Sequence, residues 1–548
     1  MNRMRTVRVP SAAVVVALSV AAGLALGSVS TGTQDRVRAR YQVYARALAE
    51  IEAGYVDPMD KPCPNGSTCG TEALVYSSID GMLRTLDPHS SFFSPGDFRR
   101  MRERQVGRYF GIGISIQKIG NDVVVVSLFE GSPAYRSGIR RGDVVARVGT
   151  EDAKPTWTTQ DVVDRVKGDK GTTVEVGIRR PGVDDLIVLT VERDEITIPS
   201  IRTAFMVDAK TGYIRLQDFS ETTERELDAA LTKLKSAGMQ QLLLDLRDNP
   251  GGPLDQAINV ASKFLRAGQM VVYTRGRIPN SDDDRRVQAT GSYTDLPLVV
   301  LVDRQSASAS EIVAGAMQDH DRALVVGETT FGKALVQSVY PISNNAGLAL
   351  TTGRYYTPSG RLIQRPWDGS FDEYLTYSYR DQDASPSHNA SDLRYTDAKR
   401  KVYGGGGIEP DHFVPGPVEG FNPTRFSRQV YSRGSFIGFA ERFTKEGDAR
   451  PGSRSSSRAH RVSPGWTVTD AMVEEFKEYL VERRVKIDDA AFQTDLPFIK
   501  AMIRYDVDLD LFGVEEARRN LSSVDPQVRD GLGRFSETRD LLALNTKR

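Results

Sequence analysis

This sequence has no excess of charge of either sign, few cysteines and no cluster of histidines. Lysine plus arginine and aspartate plus glutamate both number 72 among 548 residues, so the formal net charge is zero. That balance gives no reason to expect nucleic acid or a generally anionic surface as a partner. Two cysteines and five scattered histidines exclude a cysteine-rich scaffold and supply no ligand set for zinc. A nucleotide-binding glycine motif is also missing, so the sequence implies neither a metal nor an organic cofactor.

The N-terminus is the one strongly asymmetric part of the chain. Three arginines within the first eight residues precede an uncharged stretch that ends at Asp35. Its apolar centre, Ala12–Leu26, and the small residues at 25–27 suit a cleaved signal peptide. The segment 9–30 is also just long enough to span a bilayer as an uncleaved anchor. Both interpretations of residues 1–30 stay open, and both predict export to the periplasm or the outer face of the cytoplasmic membrane.

The two cysteines, Cys63 and Cys69, lie in a short loop rich in proline and glycine. In an oxidising compartment their spacing favours a local disulfide, and two free thiols are the alternative. A zinc site would need two further ligands, which no nearby histidine supplies.

The chain is organised around residues 298–320. The apolar run Leu298–Val302 predicts a buried strand, and apolar residues at helical spacing from Ile312 onward predict a helix. Between them, Ser306–Ser310 holds only serine and alanine, whose small side chains let a substrate backbone approach. The N–H groups at the start of that helix favour negative charge, as the oxyanion of an attacked carbonyl requires. By itself, a serine-rich helix start is more typical of a cap.

A second segment, Thr329–Gln337, carries Lys333 after a glycine and before an apolar run that predicts a strand. Lys333 and Gln337 are four residues apart and share a face if that strand is regular. Together, the two segments closely resemble the active-site region of the carboxyl-terminal processing, or tail-specific, serine peptidases. The resemblance implies a catalytic dyad of Ser308 and Lys333, with Gln337 assisting the lysine.

The turn Arg247–Gly252 matches the glycine loop opposite the nucleophile in the same family. The resemblance implies an oxyanion hole formed by the N–H of Ala309 and the N–H of either Gly251 or Gly252. An ordinary tight turn is the alternative for these glycines.

Three neighbours of Ser308 have more ordinary interpretations. Glu311 shares its helical face and is expected to support the site through hydrogen bonds, unless it only suits the helix dipole. Ser306 and Ser310 fit the roles of turn and cap hydroxyls.

The chemistry of the dyad follows from its residue types. A serine hydroxyl is a weak nucleophile and needs a base. A lysine accepts a proton only when neutral, so its ordinary pKa of about 10.4 has to fall, and burial has that effect. Ser308 would attack a peptide carbonyl, Lys333 would take and return the proton, and water would hydrolyse the acyl-enzyme.

Residues 105–193 are β-rich, and their Ser-Pro-Ala…Gly…Gly-Asp order from Ser132 to Asp143 resembles a PDZ domain. PDZ domains add an extended peptide as a strand and hold its terminal carboxylate with loop N–H groups. The matching loop here comprises Tyr109, Phe110, Gly111, Ile112 and Gly113. Its two glycines let a backbone approach closely. A PDZ fold used only for packing is the alternative.

Three residues or features of this sequence have rival interpretations. His320, the base of a Ser-His-Asp alternative, lies about 18 Å beyond Ser308 by helical rise. A catalytically silent PDZ-containing scaffold is the alternative from another class, and the intact Ser308, Lys333 and Gln337 argue against it. His89 is interpreted as a polar residue that fixes a turn, because the same pattern occurs outside the dyad of the processing peptidases.

The predicted fold is a multidomain α+β chain. Strand, helix, strand and glycine turn between residues 212 and 252 indicate an α/β core, which the resemblance implies to be of the crotonase/ClpP type. The predicted ranges are a helical region at 36–104, a PDZ domain at 105–193, a peptidase core at 194–417 that is noncontiguous with the helical region, a linker at 418–465 and a helical C-terminal extension at 466–548. Within the core, 367–400 reads as an inserted polar loop.

In the extension, Thr469 is expected to cap a helix with one apolar stripe. The stripe, more typical of core than of a partner groove, comprises Met472, Val473, Phe476, Tyr479 and Leu480. By resemblance, the substrates are exported or membrane-associated proteins engaged at an apolar C-terminal tail. An adaptor or activator and a homo-oligomer are compatible with the sequence, and an uncleaved N-terminus would attach the chain to the membrane.

Overall fold

The computed structural model describes residues 31–56, 70–180, 182–279, 281–342, 345–367, 371–379, 388–416, 423–444 and 462–546. The predicted signal or anchor segment, residues 1–30, and the predicted Cys63–Cys69 disulfide lie outside this part of the chain. None of the described helices is long and apolar enough to cross a membrane. Two compact units are present, Met1–Asp87 and Pro88–Arg548.

The first unit contains two helices, α1 (Thr31–Gly54) and α2 (Thr71–Arg84). Both agree with the helical spacing of this part of the sequence. Within α1, the apolar side chains of Tyr41 and Ile51 are exposed.

The second unit begins with β1 (Ser91–Phe93) and α3 (Pro95–Val106), which Ser94 caps by accepting the N–H of Asp97. The ribbon formed by β2 (Arg108–Gly111) and β9 (Asp194–Thr197) then joins the two ends of the PDZ region.

The PDZ region is an antiparallel sheet with two helices. Its elements are β3 (Ile114–Ile119), β4 (Asp122–Leu128), α4 (Pro133–Arg136), β5 (Val144–Val148), β6 (Glu151–Asp152), α5 (Thr159–Val166), β7 (Thr173–Arg179) and β8 (Ile187–Glu192). The strand order is β3-β4-β5-β7-β8, and β6 pairs with β5. Within the described residues, β3 therefore has one edge without a partner strand, and α5 packs beside it.

The predicted peptidase core is built on a mostly parallel six-stranded sheet with the order β10-β11-β12-β15-β16-β21. These strands are β10 (Ile201–Met206), β11 (Thr211–Leu216), β12 (Gln241–Asp245), β15 (Leu298–Val302), β16 (Leu324–Gly327) and β21 (His412–Phe413), and the helices among them are α6 (Thr223–Ser236), α7 (Leu254–Ser262) and α8 (Ala309–Asp319). Strand β15 is buried along its whole length, as its uninterrupted apolar run predicts. Since β12 and β15 are parallel neighbours, the glycine loop (Arg247–Gly252) and the serine loop (Ser306–Ser310) leave the sheet at the same edge.

A second sheet contributes the lysine segment. It contains β13 (Met270–Gly276), β14 (Asp283–Arg286), β17 (Leu335–Pro341) and β18 (Gly347–Tyr356), with β1 added antiparallel to β18. The region predicted as an inserted loop holds a short helix, α9 (Phe371–Leu375), and the small strands β19 (Leu393–Tyr395) and β20 (Lys401–Tyr403).

The C-terminal part of the chain is helical. Its helices are α10 (Arg425–Ser432), α11 (Ser435–Thr444), α12 (Asp470–Glu482), α13 (Asp489–Thr494), α14 (Leu496–Leu511), α15 (Val514–Ser522), α16 (Pro526–Gly533) and α17 (Phe535–Thr546). Thr469 caps α12, and all five residues of the predicted apolar stripe are buried. The prediction of a linker at 418–465 is wrong for the first half of that range, which holds α10 and α11. These helices are part of a separate core, because phenylalanines spaced along α11 pack with α12 and α14.

The last two helices belong to the core of the peptidase sheet. Val528 of α16 and Phe535 of α17 pack against the face formed by residues of the central strands, among them Tyr213, Leu243 and Leu301. The sheet is therefore covered by α6, α7 and α8 on one face and by the C-terminus of the chain on the other.

Candidate active site

The serine loop exposes one of its three hydroxyl groups. The hydroxyl of Ser306 donates to the carbonyl of Leu246 at 2.8 Å, and the hydroxyl of Ser310 donates to the carbonyl of Asn249 at 3.0 Å. Both serines are fully buried, as expected of turn and cap hydroxyls, whereas Ser308 is only partly buried. Ser308 directly precedes α8 and has a left-handed φ of 56°, a backbone conformation that non-glycine residues adopt mainly where the surrounding structure enforces it.

Two buried side chains hold Ser308 and Lys333 together. One carboxylate oxygen of Glu311 accepts the N–H of Ser308 at 2.8 Å and the N–H of Lys333 at 2.9 Å. The hydroxyl of Tyr355 reaches the carbonyl oxygens of the same two residues, at 3.1 and 2.5 Å. The backbones of Ser308 and Lys333 are thus bridged on both their N–H and their C=O sides, although 25 residues separate them in sequence.

Glu311 collects four hydrogen bonds in all. Its other oxygen accepts the hydroxyl of Thr330 at 2.5 Å and the N–H of Gly332 at 2.7 Å. Burial raises the pKa of Glu311 to about 7, while the four donors favour the ionised form. The sequence predicted that Glu311 would hydrogen-bond near the site, and the structure adds that it connects the serine loop to the lysine segment.

The amine of Lys333 is held by Gln337. Lys333 Nζ donates to Gln337 Oε1 at 2.9 Å, and Gln337 Nε2 donates to the carbonyl oxygen of His89 at 2.5 Å. The contact does not depend on a regular strand, because Lys333 precedes β17 and a register shift between β17 and β18 falls next to Gln337. His89 lies in a bend that precedes β1, and its backbone carbonyl orients the glutamine amide.

A cluster of aromatic side chains around Tyr374, which the sequence did not predict, lies beside His89, the partner of Gln337. Tyr374 is buried in α9, its hydroxyl lies 2.6 Å from His89 Nε2, and its ring packs edge-on against those of His89 and Phe331. The hydroxyl also accepts a hydrogen bond from Gln364 at 3.0 Å. Tyr374 lies in the stretch predicted as a polar inserted loop, where the aromatic residues spaced along 367–379 are the one sequence signal of burial.

The glycine loop lies directly against the serine loop. A Cβ added at Gly251 would lie 2.7 Å from the carbonyl oxygen of Ala307 and 2.8 Å from the nitrogen of Ala309, so no larger residue fits. A Cβ at Gly252 would instead lie 2.1 Å from the carbonyl oxygen of Phe219. Both glycines are therefore required by close backbone approach, and an ordinary solvent-exposed turn does not account for them.

Asn249, which the sequence did not single out, fixes this loop. It is fully buried, and its Oδ1 accepts the N–H of Gly251 at 2.9 Å while its backbone carbonyl accepts the N–H of Ala307 at 3.0 Å. The N–H of Gly251 is thus already paired. In the described part of the chain, the N–H groups of Gly252 and Ala309 have no recorded acceptor.

His320 is not part of this arrangement. It directly follows α8, at the end of the helix remote from Ser308, and its ring pairs with Asp397 at 2.8 Å and with the carbonyl of Met270 at 2.7 Å. Among the described residues, no cluster of His, Cys, Asp or Glu is arranged to hold a metal ion.

The predicted carboxylate loop of the PDZ region is a loop only in part: Tyr109, Phe110 and Gly111 belong to β2 and pair with β9, and Ile112 and Gly113 join β2 to β3. Gly113 has a φ of 80°, and a Cβ there would lie 2.4 Å from Ser132 Cβ, so this glycine is needed for packing inside the domain. The side chain of Phe110 is exposed, whereas Gly111, Ile112 and Gly113 are buried. In the described residues, no acceptor is recorded for the N–H groups of Ile112 and Gly113.

Known proteins share both parts of the chain. The sequence profile of peptidase family S41 matches residues 210–368, and that of a PDZ domain matches residues 111–192. The carboxy-terminal-processing protease of Bartonella bacilliformis is 40% identical over 299 residues, which are 54% of this chain and 68% of that protein. The carboxyl-terminal-processing protease of Picosynechococcus sp. is 35% identical over 295 residues, 53% of this chain and 70% of that protein. The carboxy-terminal processing protease CtpA of Bacillus subtilis is 30% identical over 346 residues, 62% of this chain and 69% of that protein.

Proposed function

This chain belongs to peptidase family S41, the carboxy-terminal-processing proteases with a PDZ domain, and we propose that it cleaves exported proteins with a serine–lysine dyad. Ser308 is the nucleophile, Lys333 is the general base, and Gln337 orients the lysine amine. The observation that carries the proposal is the double bridge of Glu311 and Tyr355 between the backbones of Ser308 and Lys333.

The reaction balances with these two side chains alone. Ser308 Oγ attacks the peptide carbonyl carbon and passes its proton to neutral Lys333. When the C–N bond breaks, Lys333 returns that proton to the leaving amine, which leaves an acyl ester on Ser308. Water then attacks the ester, giving a proton to Lys333, which returns it to Ser308 Oγ. Gln337 suits its role because a neutral amide oxygen directs the amine without adding a charge that would hold it protonated.

The oxyanion hole is assigned to the N–H groups of Gly252 and Ala309. The N–H of Gly251 already donates to Asn249 Oδ1. Gly252 is therefore the better candidate for the second oxyanion donor. Ala309 is the first residue of α8, where backbone N–H groups carry partial positive charge. Donors already in place when the charge develops are what this type of catalysis requires.

Substrate recognition is assigned to the PDZ region. The unpaired edge of β3 offers backbone groups to which an extended C-terminal tail can add as a strand. The N–H groups of Ile112 and Gly113 would receive the terminal carboxylate, with the exposed Phe110 beside them. The arginines and apolar stretch of residues 1–30 support export, so the substrates would be exported or membrane-associated proteins with apolar C-termini.

The test is cleavage of a protein with a free, apolar C-terminus by the chain from residue 35 onward. Ser308→Ala and Lys333→Ala should abolish cleavage while the surface variants Ser432→Ala and Lys210→Ala keep it. Thermal unfolding checks that all variants fold. A fluorophosphonate probe should label Ser308, located by mass spectrometry, and amidation of the substrate's C-terminus should raise KM.

Other outcomes would change the assignment. Activity that survives in Lys333→Ala but not in Ser308→Ala would require another base. A parent chain that binds the tail but neither cleaves it nor reacts with the probe would be a scaffold.

A further inference from the structure

The glycine loop is tied to the far C-terminus of the chain through Arg247. The guanidinium of Arg247 donates to both carboxylate oxygens of Asp245, at 2.9 and 2.7 Å, at the end of β12. Its remaining terminal nitrogen, Nη1, donates to Asp525 Oδ2 at 2.7 Å and to Gln527 Oε1 at 2.8 Å. Arg247 is buried, and hydrogen bonds of this charge-assisted type are stronger than neutral ones and set side-chain orientation.

Asp525 divides its two carboxylate oxygens between two tasks. Its Oδ1 accepts the N–H groups of Gln527 and Val528 and so caps α16, while Oδ2 is reserved for Arg247. Any N-cap residue could perform the first task. Only a side chain with a second acceptor of the right reach performs the second.

The same helix start is connected to the serine loop. Gln527 Nε2 donates to the carbonyl of Val414 at 2.9 Å, at the end of β21. Two residues further, the N–H of Gly416 donates to Glu328 at 3.0 Å, and Glu328 pairs with Arg304, four residues before Ser308. The N-terminal end of α16 thus contacts the glycine loop directly through Arg247. It is connected less directly to Arg304, ahead of Ser308, through segment 414–416 and Glu328.

We propose that Asp525 and Gln527 are positioning residues for catalysis, holding the oxyanion loop in register through Arg247. This inference rests on the proposed function. It gives a role to a tail that lies outside the matched family segment. If Arg247 lost its partners in the tail, it would still bind Asp245, but residues 247–252 could move away from Ala309. The N–H groups of Gly252 and Ala309 would then no longer lie close enough to act together.

The test separates the two tasks of Asp525 by substitution in the full chain. Asp525→Ser keeps a good N-cap but is too short to reach Arg247. Asp525→Glu keeps the acceptor for Arg247 but is a poorer cap. In the described part of the chain, the side-chain carboxylate of Asp488, the N-cap of α13, has a recorded bond only to the N–H of Ala491, so Asp488→Ser and Asp488→Glu are matched controls.

We expect Asp525→Ser to lower kcat about tenfold or more and to leave KM within twofold. The loss should be smaller than the ~100-fold or larger loss that follows complete removal of one oxyanion donor, because the donor is displaced and not removed. Amide hydrogen exchange of segment 246–254 should become faster in the same variant. Asp525→Glu should recover most of kcat despite a lower melting temperature, and both Asp488 variants should keep parental kcat. Asp525→Ser would then be the less active but more stable of the two Asp525 variants. A residue that only supports folding would instead lose activity and stability together.

An active parent whose Asp525→Ser variant keeps parental kcat and parental exchange would overturn this inference and leave the proposed function intact. An inactive parent would instead contradict the proposed function. The exchange comparison then still decides whether Asp525 orders the loop, since it needs no activity.

Discussion

Replacing Gln337 by glutamate tests the proposed role of Lys333 as a neutral general base. The substitution preserves the shape of the side chain but places an ionisable oxygen where a neutral one lies 2.9 Å from Lys333 Nζ. In this variant, the ion pair between a charged glutamate and a protonated lysine becomes favourable. It competes with the state in which the lysine amine is neutral and can act as a base.

The size of the effect follows from that distance. At an effective dielectric constant of about 20, two unit charges about 2.9 Å apart attract by ~6 kcal/mol, equal to roughly four pH units. Lys333 is only partly buried, so solvent reduces this value. We therefore expect a loss of about 100-fold or more in kcat/KM near neutral pH, and activity that appears only at higher pH.

The assay is the pH dependence of kcat/KM for parent, Gln337→Glu and Gln337→Ala, with exposed Gln288→Glu as a control for charge alone. Gln337→Ala removes orientation without adding charge, so its loss should be smaller, about tenfold, with little change in the pH profile. If Gln337→Glu kept parental activity at neutral pH, the assignment of Gln337 as the partner of a neutral Lys333 would be refuted.

Two further predictions concern other residues of the site. Gly251→Ala should abolish activity and destabilise the fold, because its Cβ would lie 2.7 Å from a backbone oxygen, whereas Gly238→Ala, at the same φ of 94° in open space, should cost only strain. Equal thermal shifts for the two variants would show that crowding at Gly251 is unimportant. Burial raises the pKa of Glu311 from 4.5 to about 7, so the unfolded chain ionises this group at lower pH than the folded chain. Relative to Glu311→Gln, the parent should therefore lose up to about 3 kcal/mol of stability as pH rises from about 4.5 to about 7. Urea unfolding across that range would contradict this if the two stability profiles stayed parallel.

Much of the candidate site could be read from short segments. Strand β15, the small residues before α8 and the segment around Lys333 are local patterns, and local patterns determine helices, strands and motif identity. The order of residues in the PDZ region is likewise a property of one continuous segment, and the family comparison confirmed it.

Other features needed the folded chain. Periodicity predicted α12 and its buried stripe, but it carries no information on which core a helix joins. The linker prediction accordingly missed α10 and α11, and the packing of α16 and α17 against the peptidase sheet had no local signature.

By itself, then, the sequence predicted which serine, lysine and glutamine lie close together and where the PDZ region lies, because short continuous segments carry those patterns. Tertiary structure alone decided how those groups are held. The carbonyl of His89 reaches Gln337 across 248 positions, and Arg247 reaches Asp525 across 278. The physical reason is that a hydrogen bond requires only a donor and an acceptor within about 3 Å, and a backbone carbonyl, present at every residue, becomes a specific partner only where folding places it.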